Sequence, residues 1–246
     1  MKISRWQIFL AVLLVGLSAL LYGLHFLLFH DAHHIFIYLL GDIAFLPIEV
    51  LLVTVVLHEL LTVREKRSRR QKLNMVIGAF FSELGTRLLI LFSNADPRLD
   101  EIKGQLLVSG QWTDREFARV RTLLRRHQYA VDLPQIDLPA LRQLLDQKEE
   151  FILRLFENPS LLEHETFTDL LWAVSHVDEE LDARKELAHL TAPDAAHLAG
   201  DIKRAYGHLA VQWLDYMAHL KEHYPYLFSL AMRTNPFDEN AVAEVQ

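Results

Sequence analysis

The chain has 246 residues, of which 51% are apolar and 23% are charged, and its formal net charge at pH 7 is -7. It contains no cysteine, which excludes disulfide bonds, thiolate metal sites and cysteine nucleophiles. The negative net charge gives no reason to expect non-specific binding to nucleic acid, and no nucleic-acid partner is predicted.

The first apolar segment, residues 8–29, predicts a membrane-spanning helix. It carries no formally charged residue and is long enough to cross a hydrocarbon core of about 30 Å. A secretory signal peptide is the alternative, because such peptides also begin with basic residues and an apolar run. The segment exceeds the ~7–15 residues of a signal-peptide core, and a second apolar segment follows at once, so we favour the span.

The second apolar segment, residues 35–57, predicts a second span that runs antiparallel to the first. The connection His30–His34 is short, so residues 1–62 are predicted to form a transmembrane hairpin. Lys2 and Arg5 precede the hairpin and a basic run follows it, whereas the connection has no lysine or arginine. The positive-inside rule places both termini in the cytoplasm, in a multi-pass protein of a bacterial-type inner membrane.

Two carboxylates lie inside the second predicted span. Asp42 and Glu49 are about 20° apart at 100° per residue, and they share a helix face with Tyr38. A carboxylate at mid-membrane costs roughly 2.5–3.5 kcal/mol, so this face is expected to meet protein, to meet water or to be protonated. Pro47 leaves the carbonyl of Ile43 without its helical donor. The face is a candidate path for cations or protons; alternatively, it only fixes the assembly of helices.

The connection between the spans contains three histidines, His30, His33 and His34, beside Asp31. Imidazole and carboxylate groups bind zinc, copper or nickel, so these histidines are weak candidate metal ligands. The preferred interpretation is a polar turn at the level of the lipid headgroups. No cofactor is strongly indicated by this pattern.

A basic run follows the second span. Its cations are Arg64, Lys66, Arg67, Arg69, Arg70 and Lys72. Such clusters attract anionic lipid headgroups by about 1 kcal/mol per cation, so these residues are predicted to bind the membrane surface. We assign residues 63–93 to a basic juxtamembrane collar followed by an amphipathic helix.

The amphipathic helix of the collar covers residues 73–92. Its apolar stripe comprises Val76, Ile77, Phe80, Phe81, Leu84, Leu88 and Phe92. Glu83 and Arg87 form a charged pair at i and i+4 on the other side. Three alternatives are open for this helix: a third span, a helix in the membrane interface, and a helix packed in the cytosolic domain or between subunits.

Residues 94–246 are predicted to form a cytosolic domain of helices, since strand signals are nearly absent. The predicted helices cover residues 114–127, 138–156, 167–187 and 194–224. Capping residues mark their starts, with Thr113 in a capping box, Asp137, and a second box at Ser160–Glu163. Pro225 breaks the last long helix, and the apolar segment after it is expected to dock on the domain or on a neighbouring subunit.

The helix at residues 167–187 carries a polar face opposite its buried stripe. Asp169, Trp172, His176 and Glu180 lie on that face. Aspartate, histidine and glutamate together can bind a metal, but the paired Glu-x-x-His motif of di-iron bundles is absent. A face in contact with solvent or with a protein partner is the preferred interpretation.

The helix at residues 194–224 carries a polar stripe. Its members are His197, Asp201, His208, Gln212, Asp215, His219 and His223. Asp215 with His219, and His219 with His223, are i,i+4 pairs that can chelate a cation, so these three are weak candidate metal ligands. A solvated face is the preferred interpretation, because an amphipathic helix must expose its polar side.

Three catalytic patterns are missing from the sequence: a Gly-rich phosphate loop, G-x-S-x-G and His-Glu-x-x-His. An enzyme is therefore less favoured. The selectivity-filter motif of potassium channels is missing too. We predict an all-α membrane protein, a transmembrane hairpin followed by a cytosolic helical bundle, that forms a homo-oligomeric cation or proton pore gated by the bundle. The alternatives are a membrane-anchored scaffold or adaptor that binds a cytosolic protein, and a metal-dependent enzyme at the cytosolic face.

Overall fold

The computed structural model describes residues 5–158, 161 and 164–244, and of residues 63–72 it describes only the backbone. The predicted all-α class is confirmed, because 78% of the chain is helical and the described ranges contain no strand. The chain divides into two compact units, Met1–Lys66 and Arg67–Gln246.

The helices are numbered in chain order. They are α1 (Arg5–Phe29), α2 (Ala32–Phe80), α3 (Thr86–Asn94), α4 (Asp114–Arg126), α5 (Leu138–Asp146), α6 (Glu149–Phe156), α7 (Glu165–Asp182), α8 (Ala192–His223) and α9 (Pro225–Arg233). A π-turn, Phe81–Gly85, lies between α2 and α3. Short 3-10 turns lie at Leu99–Glu101, Lys103–Gln105 and Leu133–Gln135.

The first unit contains the turn between the two long apolar helices. Only His30 and Asp31 lie between α1 and α2, so the connection is shorter than predicted and His33 and His34 belong to the first turn of α2. The reason is a cap: the Asp31 carboxylate accepts a hydrogen bond from the His34 backbone N–H at 3.1 Å. His30 has a left-handed backbone, with φ of 51°, which reverses the chain.

α2 continues well past the predicted end of the second span. It contains Pro47 and runs without a break to Phe80. A proline removes one backbone hydrogen bond, and the helix continues because its other bonds remain. The six cations predicted to bind the membrane surface lie in residues 63–72, whose side chains are outside the described part of the chain. Their contact with lipid stays a prediction.

Three helical stretches of the described chain are long and apolar enough to cross a membrane. They are Arg5–Phe29, Ala32–Thr62 and Leu73–Asn94. No residue is buried in the apolar window of either of the first two, whereas 44% of the third window is buried within the protein. Length and composition therefore make the first two candidate spans, and the third differs from them because protein covers it.

In the second unit, α8 is the central helix and packs against α3, α4, α7 and α9. The spacing predicted its core face, and the buried members of that face are Ile202, Tyr206, Leu209, Trp213 and Leu220. α7 lies beside it and buries the predicted stripe from Phe167 to Leu181. α7 ends at Asp182, earlier than predicted, because Arg184 binds Asp194 at the start of α8 and the chain reverses.

The segment from residue 73 to residue 94 is packed within the second unit. Its predicted stripe is buried at Ile77, Phe80, Phe81, Leu84, Leu88 and Phe92. The Phe80 ring meets the Phe167 ring edge to face at 5.4 Å between centroids, and Phe81 stacks on Tyr216 at 5.4 Å. Of the three alternatives for this helix, packing within the domain is the one that the structure shows.

The π-turn lies in the middle of this packed segment. A Cβ at Gly85 would lie 2.6 Å from Cε1 of Phe80 and 2.8 Å from Cδ1 of Phe81. Such distances are shorter than atoms in a packed core tolerate, so a side chain here would displace both rings. The glycine is therefore required by packing.

The predicted helix starts at Thr113 and Asp137 are confirmed. Thr113 forms the capping box of α4 with Glu116, and the Asp137 carboxylate accepts a hydrogen bond from the third residue of α5, Ala140. The single helix predicted at residues 138–156 is wrong, because the chain breaks between α5 and α6. The second predicted capping box has its Ser160 and Glu163 outside the described residues.

The break between α5 and α6 coincides with a long-range ion pair. Lys148, the residue before α6, lies 2.7 Å from the carboxylate of Glu83. Glu83 was expected to pair with Arg87 along its own helix. The hydrogen bond from Lys148, together with its charge, lowers the pKa of the Glu83 carboxyl.

Candidate functional site

Polar side chains from α7 and α8 converge where the two helices pack together. His176 and Glu180 are four residues apart on α7, and His197 and Asp201 are four residues apart on α8, so each pair shares a helix face. One nitrogen or oxygen atom from each of the four lies within 4.8 Å of the others. We call these four residues the α7/α8 cluster.

Each imidazole of the α7/α8 cluster faces both carboxylates. Nε2 of His197 lies 3.3 Å from Oδ2 of Asp201 and 3.6 Å from Oε1 of Glu180. Nε2 of His176 lies 3.6 Å from the same Asp201 oxygen and 3.8 Å from the same Glu180 oxygen. Two ring nitrogens and two carboxylate oxygens therefore form one compact group of donor atoms.

An arginine binds the outer oxygen of each carboxylate. Arg184 donates to Oε2 of Glu180 at 2.7 Å, and Arg204 lies 3.1 Å from Oδ1 of Asp201. Arg184 is itself held by Asp194 at 2.6 Å. The hydrogen bond from Arg184, assisted by neighbouring positive charge, lowers the pKa of the Glu180 carboxyl. Glu180 therefore stays ionised and presents its inner oxygen to the cluster.

Asp201 is buried, which corrects the solvated stripe predicted for α8. Its side chain is 3% exposed, and its Oδ2 has no hydrogen-bond partner among the described residues. Gln212, on the same stripe, is also buried and accepts a hydrogen bond from Thr166 of α7. The prediction is wrong at these two positions because α7 packs over this face of α8.

The donor set of the α7/α8 cluster suits a divalent transition metal. Zinc binds imidazole nitrogen and ionised carboxylate oxygen, whereas calcium and magnesium prefer sites made wholly of oxygen. The His176 and His197 side chains remain 41% and 57% exposed, so one side of the cluster is open to solvent. An ion can therefore reach the buried Asp201 oxygen without unfolding of the domain.

The metal ligands predicted near the end of α8 have other partners. Asp215 forms an ion pair with Arg121, and Nδ1 of His219 accepts a hydrogen bond from Asn74 at 2.9 Å. The rings of His219 and His223 stack with centroids 4.5 Å apart. Within the described residues these side chains form no group with metal-ligand spacing.

A second acidic group lies between α5 and α7. Asp146, Asp178 and Asp182 bring carboxylate oxygens within 4.8 Å of one another. Burial, and then the charge of the neighbouring carboxylates, raises the pKa of Asp178 to about 6. Arg142 already binds Asp182 at 2.8 Å. The group contains no imidazole. Its three carboxylates repel one another, so we interpret it as an acidic patch of the surface.

A buried polar group lies between α4 and α8. His127 Nε2 is 3.8 Å from Oδ2 of Asp96, and the Tyr129 ring lies 4.8 Å from the rings of both His127 and Tyr206. Polar atoms of all four side chains are buried without a hydrogen-bond partner among the described residues. Burial raises the pKa of Tyr129 and of Tyr206, so both phenols stay neutral. Water molecules are the usual partners of such atoms.

In the first unit, the predicted acidic pair lies on the surface of α2. Asp42 and Glu49 are exposed, and neither has a hydrogen bond or an ion pair with another described residue. Tyr38 instead lines a groove of about 650 Å³ with His25 and His34. The predicted common face therefore divides between the surface and this groove.

The groove contains a histidine that the sequence did not single out. His25 stacks on His34 with ring centroids 5.9 Å apart, and its Nε2 has no hydrogen-bond partner in the described chain. A neutral imidazole within an apolar segment gives no charge signal, so the sequence did not indicate His25. The turn histidines, His30 and His33 included, form no group with metal-ligand spacing among the described residues.

Comparison with known proteins identifies the family of the chain. Residues 69–233 match the family described as "Uncharacterized protein MJ1433, C-terminal helical domain", and residues 2–61 match "MJ1433, N-terminal helical domain". The chain belongs to the MJ1433 family. A relative described as "Uncharacterized protein MJ1433", from Methanocaldococcus jannaschii, is 43% identical over 242 residues, which cover 98% of this chain and 97% of the relative. No solved structure matches the chain.

In this member of the MJ1433 family, sequence spacing indicates each half of the α7/α8 cluster. It places His176 beside Glu180 and His197 beside Asp201. The meeting of the two halves depends on the packing of α7 against α8, which spacing within one helix does not report. The available signal was that both helices carry a histidine followed, four residues later, by an acid.

Proposed function

We propose that the protein is a membrane-anchored homo-oligomer in which the α2 helices enclose a path for cations or protons, and the second unit serves as a cytosolic assembly or gating module. The observation that carries the proposal is the position of Asp42 and Glu49. Both are exposed and unpaired within the described residues, on a stretch apolar enough to be a candidate span.

Exposed carboxylates inside a span favour association. Each costs roughly 2.5–3.5 kcal/mol at mid-membrane, and one hairpin leaves both uncovered. A second copy of the same face can cover both, and several copies around an axis would let water hydrate the carboxylates. Pro47, between them, frees the Ile43 carbonyl as a further oxygen ligand for a cation.

The proposal includes a membrane location and a lipid partner. α1 and the first part of α2 span the membrane with both termini in the cytoplasm, as the positive-inside rule predicts. The cations of residues 64–72 then lie at the inner surface, where anionic headgroups attract them. In this arrangement the helical second unit is cytosolic.

Flux in reconstituted liposomes tests the path. Glu49→Gln keeps the side-chain volume and removes its charge, so we expect lower cation or proton flux, or a changed pH dependence, while the oligomer persists. Glu59→Gln, near the end of the same candidate span, is the matched control and is expected to keep the flux. Protein that assembles but gives no flux above empty liposomes, at any pH or voltage applied, would contradict the pore.

A membrane-anchored scaffold is the second candidate, and an exposed tryptophan favours it. Trp172 is 60% exposed, and its ring lies 4.7 Å from that of Phe156. Exposed tryptophans are frequent anchors of protein interfaces. On this alternative Asp42 and Glu49 only join hairpins, and neutralising Glu49 leaves the assembly intact or strengthens it, since a buried charge is removed.

A metal-dependent enzyme at the cytosolic face is the third candidate. The α7/α8 cluster favours it, because imidazole and carboxylate ligands also occur at catalytic zinc sites. Catalytic sites keep one position of the ion for water or substrate. Flux that is absent, combined with metal-dependent turnover of a substrate, would select this candidate over the other two.

A further inference from the structure

We propose that the α7/α8 cluster binds one divalent transition-metal ion of the zinc type. Its ligands are Nε2 of His176, Oε1 of Glu180, Nε2 of His197 and Oδ2 of Asp201. The inference is independent of the proposed cation path, since the cluster lies wholly within the second unit. The ion would join α7 to α8 through two ligands from each helix.

The distances within the cluster match the size of a four-coordinate site. Zinc bonds to nitrogen and oxygen are about 2.0–2.1 Å long, so the corners of a tetrahedral site lie about 3.3–3.4 Å apart. The four separations between ring nitrogens and inner carboxylate oxygens are 3.3, 3.6, 3.6 and 3.8 Å. The two remaining separations, nitrogen to nitrogen and oxygen to oxygen, are at most 4.8 Å, so the side chains would move inward around the ion to complete the site.

The buried oxygen of Asp201 is an independent indication of a ligand. Burial of a carboxylate oxygen without a donor is unfavourable, and most buried polar atoms in folded proteins have a hydrogen-bond partner. Oδ2 of Asp201 is such an atom among the described residues, and both imidazoles lie beside it. A bound cation would supply the missing partner.

The surrounding arginines orient the two carboxylates. Metal-binding carboxylates are themselves hydrogen-bonded, and these outer contacts fix the oxygen that faces the ion. Arg184 holds the outer oxygen of Glu180 and is anchored by Asp194, while Arg204 holds the outer oxygen of Asp201. The inner oxygens are left for the ion.

Two protonated imidazoles paired with two carboxylates are the competing explanation. They would give the same side-chain positions without an ion. The explanations differ in the effect of zinc: only the metal site predicts stoichiometric binding, with a rise in the unfolding temperature that depends on zinc concentration.

The experiment uses the full chain in detergent, stripped with a chelator, and measures Zn²⁺ binding by calorimetry near neutral pH. Loss of an outer-shell partner reduces metal affinity roughly 10–100-fold, and we expect the double variant His176→Gln/His197→Gln to lose more than that. Bound Co²⁺ should also lose its tetrahedral absorption in this variant. The control, His33→Gln/His34→Gln, changes two histidines outside the cluster and should keep binding at the cluster.

Two further variants keep the test decisive if the double variant fails to fold. Asp201→Asn should abolish the zinc-dependent rise in unfolding temperature, and Arg184→Met should weaken binding about tenfold as the loss of an outer-shell contact. The metal site is overturned if the wild-type chain binds no Zn²⁺ or if cluster variants bind as tightly as wild type. It is also overturned if the control His33→Gln/His34→Gln by itself removes the binding.

Discussion

The imidazole of His219 has two neighbours that favour its neutral form. Nδ1 accepts a hydrogen bond from the Asn74 amide at 2.9 Å, and the His223 ring stacks on it. Burial, followed by the positive charge of His223, lowers the pKa of His219 below its usual value near 6.5. Glu222 acts in the opposite direction and is the weaker influence.

The lowered pKa of His219 predicts a specific loss of stability in acid. Below about pH 6.5 the unfolded chain binds a proton that the folded chain resists, so the free energy of unfolding falls as the pH decreases. His219→Gln removes this contribution. The difference between the unfolding free energies at pH 7.5 and pH 5 should therefore be smaller in the variant, as measured by denaturant titration. Equal differences in wild type and variant would contradict the prediction.

The sequence predicted which side chains are neighbours only within single helices. The i,i+4 spacing places His219 beside His223, but it also suggested a shared cation, whereas His219 binds Asn74, 145 residues away in the chain. Asp201 was expected in solvent and is buried under α7. Both differences arise from the packing of α8, which decides whether a polar stripe meets water or another helix.

At the level of the element, the segment at residues 73–94 has one buried face and one exposed face. Phe80 is 0% exposed, whereas Met75, earlier in the same segment, is 59% exposed. Phe80→Ala should lower the free energy of unfolding by roughly 3–5 kcal/mol through the cavity it leaves. The matched control Met75→Ala should stay within about 0.5 kcal/mol.

Denaturation followed by tryptophan fluorescence measures both variants of this segment. The large difference between them is expected only if the segment packs in the domain. If lipid surrounded this helix, Phe80→Ala and Met75→Ala would have similar, small effects on the free energy of unfolding. That result would support a third membrane-spanning helix.

Helix starts were more predictable than helix interruptions. Thr113 and Asp137 predict the starts of α4 and α5, because a capping side chain acts on the first turn of the helix that it begins. The break between α5 and α6 gives no such signal, since buried Leu145 and Ile152 are seven residues apart and fit one continuous helix. The break accompanies the ion pair of Lys148 with Glu83, which is a tertiary contact.

At the level of the whole molecule, the distribution of basic residues predicts that both termini lie on the same side of the membrane. The absence of native cysteine makes single introduced cysteines clean reporters. In intact cells an impermeant maleimide should label Ala32→Cys at the start of α2, and it should label Asn240→Cys only after lysis. Labelling of Asn240→Cys in intact cells would end the hairpin topology.

The two-part organisation of the chain was visible in composition alone. An apolar stretch gives way to a charged and amphipathic one near residue 62, and the structure divides into compact units at Lys66 and Arg67. The acidic pair Asp42 and Glu49 was also visible, because charge is rare in such a stretch. In the proposed oligomer the pair faces neighbouring copies of the chain, and contacts between copies leave no local pattern in the sequence of one chain.

The π-turn keeps the helix that contains it in phase with the core. Buried residues recur there at every fourth position, through Leu73, Ile77, Phe81, Gly85, Leu89 and Ser93. Four residues of an α-helix advance by about 400°, so such a series drifts about 40° at each step and would rotate away from the core. The wider π-turn, with its i→i+5 hydrogen bonds, advances less per residue and cancels part of this drift. It acts as a one-residue insertion that lets both halves of the segment present a single continuous face.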